Sequence, residues 1–333
     1  MEPGRYPGHW SGGRGRAGQT GAASDQQVPA ERAHAVGQGE ASMSRLSEAL
    51  GAGKFVVTGE IGPPKGIDTK EMEEEIHHLR DRVVAVNVTD LQSSVMRLGA
   101  LVVSARLQAM GVEPVFQVTC RDRNRLALES DLLSAAWMGI ENVLALTGDH
   151  VILGDHPTAR PVFDLDSVSL LQAMVTLEGG KDLAGNDLQG APKFFKGAVV
   201  PPCAEPLDAH LIKLEKKVRA GAQFIQTQAV YEPERFARFM EKVAHLGVPV
   251  LVGIVLLKSA AMAKFMNKNV AGVFVPDAII DEIAKVGKDD RRKKSAEIAG
   301  RLVAQMRGMC QGVHLMPLGW CSLVPDVLAA AGL

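Results

Sequence analysis

Glu60 is the residue in this sequence with the clearest capacity for chemistry. It lies at the end of an apolar run, residues 54–61, and Gly62-Pro63-Pro64 follows directly. A rigid turn after a buried strand leaves a carboxylate little freedom, and burial raises the pKa of a carboxylate towards neutrality. Such a group can act as a general acid near pH 7. The competing interpretation is a solvated charge at a strand end, so residues elsewhere must decide between the two.

Polar residues also follow four of the other apolar runs, at the same relative position. They are Thr89-Asp90, Thr119-Cys120, Thr147-Gly148-Asp149-His150 and Thr227-Gln228, whereas Pro201-Pro202 follows the run 194–200. Any one of them could be an ordinary helix cap. Polar groups that converge on one mouth instead favour a cleft for a polar, heterocyclic ligand. A Schiff-base enzyme and a catalytic metal are disfavoured, because no Lys lies at a run end and His and Cys do not cluster.

The apolar runs that carry these residues are short, rich in Val, Ile and Phe, and continuous rather than alternating. This pattern is typical of parallel strands covered on both faces. The predicted strands are 55–61, 83–90, 114–120, 142–148, 194–200, 223–228, 248–255 and 312–318.

Amphipathic segments with helical spacing separate the predicted strands. They are 69–80, 94–110, 126–138, 167–177, 207–220, 233–246 and 260–267, with extra material over 277–309. Gly111, Gly139, Gly221 and Gly247 are predicted C-terminal caps. Eight strands in strict alternation with helices predict an α/β fold of the (β/α)8 TIM barrel type. The alternative, a doubly wound open sheet, lacks a Gly-rich phosphate loop after any strand.

Composition limits the function classes further. The 333 residues are 46% hydrophobic but only 5% aromatic, which indicates an aliphatic interior. A net charge of -1 argues against nucleic acid or an anionic membrane as a partner. The four cysteines form no Cys-x-x-Cys pair, which favours a reducing, cytoplasmic compartment over a disulfide framework. The longest apolar run, 248–257, is too short to span a bilayer.

Residues 1–42 differ from the rest of the chain. They are rich in Gly, Arg, Gln, Ser and Ala and have almost no aliphatic periodicity. Such a segment cannot bury enough apolar surface to offset chain entropy, so we expect a disordered leader. We further expect Met43 to be the natural start, with mass spectrometry of the native protein as the test. The barrel domain would then be residues 43–333.

Several motifs resemble, in the same order, those of the methylenetetrahydrofolate reductase family. The opening motif is Gly59-Glu60-Ile61-Gly62-Pro63-Pro64. The others are segments 86–90, 117–120, 145–149, 216–222, 226–228 and 312–314. Individually these motifs are weak, but together they span roughly residues 54 to 332. The closing segment 312–320 resembles the short bacterial, acetogen-like branch.

The resemblance implies a cytoplasmic flavoprotein of one-carbon metabolism that contains FAD. It would reduce 5,10-methylenetetrahydrofolate to 5-methyltetrahydrofolate, which supplies methionine or acetyl-CoA synthesis. The implied electron donor is NAD(P)H or a partner protein, and we expect a homo-oligomer or a hetero-complex.

The resemblance also assigns roles to individual residues. Glu60 matches the general acid, which protonates the substrate nitrogen as the five-membered ring opens to an iminium that takes hydride from reduced flavin. Asp149 matches a carboxylate near both flavin and pterin, with a catalytic and a binding role. Gln228 matches a folate-binding amide. Phe265 matches an aromatic residue that stacks on folate, although a core helix position is the alternative.

Seven positions match flavin contacts of relatives. They are Thr89, Gln117, Thr147, Gly148, Asp149, Lys217 and Ala222. The sequence departs from many relatives at Gln117 and Thr147, where those relatives carry His and Arg.

Two other functions remain open at this stage. A folate-dependent methyltransferase barrel would need a zinc-thiolate cluster or a cobalamin module, and neither is apparent. A folate-binding subunit of a larger redox complex would not need the combination of Glu60, Asp149 and Gln228. A yellow chromophore in the purified protein would separate the reductase from both.

Overall fold

The computed structural model describes residues 44–333. The expectations about the leader and about Met43 lie outside this part of the chain. Eight parallel strands form a closed barrel in chain order, and β8 pairs with β1 to close it. The predicted (β/α)8 barrel is therefore confirmed. The strands are β1 Val56–Ile61, β2 Ala85–Val88, β3 Pro114–Thr119, β4 Asn142–Leu146, β5 Phe195–Val200, β6 Phe224–Ala229, β7 Val250–Val255 and β8 Gly312–Met316.

Apart from α1, which precedes β1, the helices follow the strands around the outside of the barrel. They are α1 Arg45–Gly51, α2 Lys70–Leu79, α3 Ala100–Ala109, α4 Arg125–Trp137, α5 Ser167–Glu178, α6 Asp208–Arg219, α7 Pro233–Val243, α8 Ala260–Asn269, α9 Asp277–Ala284, α10 Arg291–Met306 and α11 Val324–Ala331. The extra material between β7 and β8 supplies α9 and α10. Within the described range, no helix combines the length and apolarity needed to cross a bilayer.

The four predicted glycine caps are confirmed. Gly111, Gly139, Gly221 and Gly247 have φ values of +76°, +77°, +108° and +65°. This left-handed region is open to glycine at little cost, and it lets the chain leave each helix towards the next strand.

The predicted helix 94–110 was wrong at its start. The α-helix begins at Ala100, and a 3₁₀ turn, Gln92–Ser94, precedes it. Leu91, Ser93 and Ser94 all have positive φ, which no α-helix accommodates. The Ser94 hydroxyl is instead hydrogen-bonded to the backbone of the β4–α5 loop, at Asp149 and His150. Tertiary contacts at the barrel mouth thus override local helix propensity.

The barrel interior has two distinct layers. Its amino-terminal end is filled by a small apolar cluster of Leu46, Val56, Ala85, Val115, Leu144, Phe224 and Leu251. Helix α1 contributes Leu46 and closes this end of the barrel, where Ser44 Oγ donates a 2.6 Å hydrogen bond to Asn142 Oδ1. Gly197 makes room for this layer, because a Cβ there would overlap the Phe224 ring.

Polar side chains replace apolar ones nearer the carboxyl ends of the strands. Thr58, Asn87, Gln226 and His314 are all at most 3% exposed. TIM-barrel interiors are usually filled by branched apolar residues. A buried polar layer next to the mouth is costly unless its groups are hydrogen-bonded, so it indicates a functional purpose.

Candidate active site

Glu60 lies on β1 with its side chain in this polar layer. The residue is 7% exposed, so its carboxyl group is largely shielded from water but still reaches the mouth. The solvated strand-end alternative is therefore wrong. Because side chains on a strand alternate between faces, Glu60 shares its face with Thr58, two residues earlier.

Two neighbours hold the Glu60 carboxyl group through the same oxygen. Gln117 on β3 donates from Nε2 to Oε2 at 3.2 Å. Nε2 of His314 on β8 lies 3.3 Å from the same Oε2. Among residues 44–333, no side chain forms a hydrogen bond to the other oxygen, Oε1. One oxygen is thus anchored, and the other is available to a ligand.

Sequence reasoning missed most of the residues around Glu60. His314, Asn87 and Gln226 were noted only as parts of motifs, and Thr58 only as part of the first apolar run. Gln117 was assigned to flavin rather than to Glu60. A signal was present, since a buried polar residue in an otherwise apolar strand needs a partner. The sequence of a single strand does not show which other strands face it across the barrel interior.

Asp149 lies on the rim, in the loop after β4. Its side chain is exposed, whereas its backbone carbonyl accepts hydrogen bonds from Ser94 Oγ at 3.1 Å and Arg121 Nη1 at 3.2 Å. Gly148, with φ +90°, brings the loop against Arg121 and Thr119. The backbone is therefore fixed while the carboxylate stays open to a ligand.

Arg121 is a second residue that sequence reasoning missed. It is 2% exposed, and it donates to the Leu91 carbonyl and to Asp122 as well as to the Asp149 carbonyl. A buried guanidinium with several acceptors ties loops rigidly together. Arg121 thus joins the β2–α3 loop to the β4–α5 loop at the mouth.

Gln228 and Phe265 also lie on the exposed rim. Gln228 is the fifth residue of β6 and is exposed, although Gln226 on the same strand is buried. Phe265 on α8 is 61% exposed. The core-helix alternative for Phe265 is therefore wrong, and its ring is free to contact a ligand.

Three of the candidate flavin residues differ in what their side chains already contact. Thr89, directly after β2, is 2% exposed, and its hydroxyl has no hydrogen-bond partner within the described residues. Thr147 is occupied locally, because its hydroxyl accepts the backbone N–H of Ser167 at 3.1 Å and contributes to the start of α5. Gln117 is occupied by Glu60.

Lys217 is a buried cation near the carboxyl end of β5. Its Nζ donates to the Val199 carbonyl at 2.5 Å, and the side chain has no carboxylate partner among residues 44–333. Burial, followed by the charge of Lys213, lowers the pKa of Lys217 to about 8. A buried ammonium of this kind would be stabilised by an anionic ligand.

Ala222 is not brought to the mouth. It lies in the connection between α6 and β6, before the first residue of β6, and is therefore at the amino-terminal end of the barrel. The flavin contact implied by resemblance would have to cross the length of the barrel. Ala222 instead packs in the core and supports the turn at Gly221.

All four cysteines are buried. Burial raises the pKa of Cys120 to about 12 and that of Cys203 to about 11. These thiols are therefore protonated at neutral pH and are poor nucleophiles. Residues 44–333 also contain no group of three or more His, Cys, Asp or Glu side chains placed to share a metal ion.

Comparison with known proteins decides the family. Residues 45–332 match the family model of methylenetetrahydrofolate reductase. The chain belongs to the methylenetetrahydrofolate reductase family. The match covers almost the whole described barrel, so the resemblance seen in the sequence motifs is confirmed.

Individual methylenetetrahydrofolate reductases are distant in sequence. The chain is 28% identical to the 5,10-methylenetetrahydrofolate reductase of Salmonella typhimurium, over 68% of this chain and 72% of that protein. It is 25% identical to methylenetetrahydrofolate reductase 2 of Schizosaccharomyces pombe, over 65% of this chain and 35% of that protein. The chain thus spans about a third of the length of this eukaryotic relative.

A solved structure shares the barrel. It is a protein of Clostridium thermocellum, described as uncharacterized and as binding two copies of 5-methyl-5,6,7,8-tetrahydrofolic acid. The TM-score is 0.57 at 15% identity, over 87% of this chain and all of the other. At this identity the likeness is one of fold.

Proposed function

We propose that the protein reduces 5,10-methylenetetrahydrofolate to 5-methyltetrahydrofolate, with Glu60 as the general acid. The observation that carries the proposal is the Glu60 carboxyl group, buried at the barrel mouth with Oε2 held by Gln117 and His314 and Oε1 available. Membership of the methylenetetrahydrofolate reductase family supports this choice of reaction.

Glu60 serves the step in which the five-membered ring of the substrate opens. A carbon–nitrogen bond breaks, and the electron pair left on the nitrogen takes the proton from Oε1 of Glu60. The carbon becomes an iminium, which two electrons and one proton, transferred as hydride, convert to the methyl group. A positioned general acid accelerates such a step by roughly 10²–10⁴-fold.

A flavin, which we propose to be FAD, would supply the hydride when bound. The residues present fit it. Thr89 offers a buried hydroxyl without a partner, and Lys217 offers a buried ammonium without a carboxylate. These are suitable partners for a flavin's polar groups and phosphates respectively. Asp149 would make a flavin nearby harder to reduce.

The rim residues would bind the folate. The exposed Asp149 carboxylate can accept hydrogen bonds from the aminopterin edge, and the Gln228 amide can both donate and accept there. Phe265 offers an exposed ring on which an aromatic part of the folate can stack. Electrons would come from NAD(P)H or from a partner protein.

An anaerobic spectrum tests this function directly. The protein is reconstituted with FAD, and 5-methyltetrahydrofolate is added without oxygen. We expect the flavin bands to bleach, because the folate returns its hydride in the reverse half-reaction. A flavin that binds but stays oxidised would contradict the reductase, whereas no flavin binding would favour a flavin-free reductase or a folate-binding subunit.

A further inference from the structure

A continuous chain of hydrogen bonds runs across the barrel interior to Glu60. Asn87 on β2 and Gln226 on β6 pair through both amides, at 2.7 Å and 3.1 Å. Nε2 of Gln226 also donates to Thr58 Oγ1 at 3.4 Å. Thr58 Oγ1 lies 3.0 Å from His314 Nδ1, and His314 Nε2 lies 3.3 Å from Glu60 Oε2.

The direction of donation along this chain follows from the chemistry of its members. Thr58 Oγ1 accepts from Gln226, so its single proton is free to be donated to His314 Nδ1. A neutral imidazole whose Nδ1 accepts carries its proton on Nε2. Nε2–H then donates to Glu60 Oε2, the oxygen that also accepts from Gln117, whose Nε2 can only donate. Gln117 and His314 thus both donate to Oε2, which acts only as an acceptor.

We propose that His314 is a positioning residue, held as its Nε2–H tautomer by Thr58, Gln226 and Asn87, so that Oε2 of Glu60 is always an acceptor and Oε1 carries the transferable proton. This inference rests on the proposed function of Glu60. It adds that the two carboxyl oxygens of Glu60 have different roles: Oε2 accepts hydrogen bonds and Oε1 donates the proton.

Burial explains why His314 needs a hydrogen-bond partner on Nδ1. His314 is 3% exposed, so water cannot satisfy whichever ring nitrogen faces inwards. Without a defined partner on Nδ1, the imidazole could present either a proton or a lone pair to Glu60. A lone pair facing the lone pairs of Oε2 is repulsive and would turn the side chain. The Thr58 hydroxyl removes this ambiguity, much as an orienting group fixes the tautomer of a histidine that ligates a metal.

The hydrogen bonds of this chain could also run in the opposite direction, and this alternative is well defined. If the Asn87 and Gln226 amides were both turned over, Thr58 would donate to Gln226 and accept from Nδ1–H. Nε2 would then face Glu60 as a bare lone pair. The two polarities therefore differ in an observable, namely the position of the imidazole proton.

The first test measures that proton position. The flavin-free full-length protein is labelled with ¹⁵N-histidine, and two-bond ¹⁵N–¹H spectra report the tautomer of each ring. His314→Gln identifies the His314 signals by their loss. We expect the Nε2–H tautomer in the unaltered protein and a shift towards Nδ1–H in Thr58→Val. An Nδ1–H tautomer in the unaltered protein would overturn the proposal.

The second test measures turnover in matched variants. Thr58→Val is isosteric but lacks the hydroxyl, whereas Thr58→Ser keeps it. We expect Thr58→Val to lower kcat by roughly 10-fold and His314→Leu by roughly 10–100-fold, because hydrogen bonds to a charged group are of this strength. Thr58→Ser and His314→Gln, which retain a donor, should remain within a few-fold of the unaltered protein, and KM for the folate should not change.

The outcomes separate the inference from the function on which it rests. The tautomer is read in protein that carries no flavin and no folate, so it can fail while the reductase activity stands. Equal turnover of Thr58→Val and Thr58→Ser, or a rise in KM that matches the fall in kcat, would assign Thr58 and His314 a merely structural role.

Discussion

The interior polar layer and the exposed rim of the mouth are built in opposite ways. In the interior, Glu60, His314 and Thr58 are buried and held by several hydrogen bonds. On the rim, the side chains of Asp149, Gln228 and Phe265 are exposed, and for Asp149 only the backbone is tied down. The interior side chains are fixed before a ligand binds, with only Oε1 of Glu60 left without a partner, whereas the rim side chains are open to a ligand.

The proposed function divides chemistry and binding between these two regions. A preorganised acid needs no reorganisation at the moment of reaction, and that lowers the barrier. In the proposed function, the exposed side chains would gain contacts only when the folate binds, so they would contribute chiefly to its affinity. Changes in the interior should therefore affect kcat, and changes on the rim should affect KM or Kd.

The largest effect should come from Glu60→Gln. The amide oxygen can replace Oε2 as the acceptor for Gln117 and His314, so the fold should be preserved, but no acidic proton remains. We expect kcat to fall by roughly 10²–10⁴-fold while the Kd for 5-methyltetrahydrofolate stays within a few-fold. Steady-state kinetics and calorimetry measure the two. Glu129→Gln, on α4 outside the barrel, is the matched control and should retain full turnover.

Lys217 extends the comparison to a buried charge without a carboxylate partner. Its pKa is lowered from 10.5 to about 8, so between these pH values the unfolded chain binds more protons than the folded one. Stability must then rise with pH across that window. We expect flavin-free protein to gain roughly 3 kcal/mol relative to Lys217→Met between pH 7 and pH 10.5, measured by urea unfolding. A difference that does not vary with pH would show that the charged form is not penalised.

Asp149→Asn tests the rim carboxylate. Hydrogen bonds to a charged group contribute roughly 1.5–3 kcal/mol, so we expect the Kd for 5-methyltetrahydrofolate to rise by at least 10-fold. Loss of the negative charge should also raise the flavin midpoint potential. Spectroscopic titration measures the first and redox titration the second. Asp187→Asn serves as the control, because Asp187 is exposed and pairs with Lys181. It should alter neither the Kd nor the flavin potential. An unchanged potential in Asp149→Asn would place the carboxylate away from the flavin.

Gln226 and Gln228 compare the interior and the rim at the shortest distance, because they lie two residues apart on one strand. We expect Gln228→Ala to raise KM by roughly 10-fold with little change in kcat, since it removes a neutral rim contact. Gln226→Leu removes the partner of Thr58 and Asn87 and should instead lower kcat at nearly constant KM. If both variants changed the same parameter, the division between interior and rim would be lost.

Much of the fold was predictable because each strand is a continuous apolar run. All eight predicted strands overlap the observed ones, and Glu60 lies at the mouth as its position before Gly62-Pro63-Pro64 indicated. The four glycine caps were predictable for a local reason, the need for positive φ. The start of α3 was not, because it depends on contacts between Ser94 and a loop some 55 residues later.

The hydrogen-bond network in the interior could not be predicted from the sequence, for a different reason. Thr58, Asn87, Gln226 and His314 come from four strands that only barrel closure brings together, and no local spacing records that closure. The resemblance carried the roles of Asp149, Gln228 and Phe265, which stay predictions. It also carried Ala222, whose position at the amino-terminal end follows from the chain order α6–β6 and does not suit a contact at the mouth.

We expect Glu60 to transfer a proton and not merely to shape the pocket. The test is the rate at which saturating 5,10-methylenetetrahydrofolate oxidises the reduced flavin, followed anaerobically by stopped flow in Glu60→Gln and Gln228→Ala. In this direction the proton from Glu60 opens the ring before hydride leaves the flavin, so loss of the acid should slow the step by at least 100-fold. Gln228→Ala should react at nearly the unaltered rate once saturated. A Glu60→Gln protein that oxidises its flavin within about 2-fold of the unaltered rate would show that Glu60 is not the proton donor.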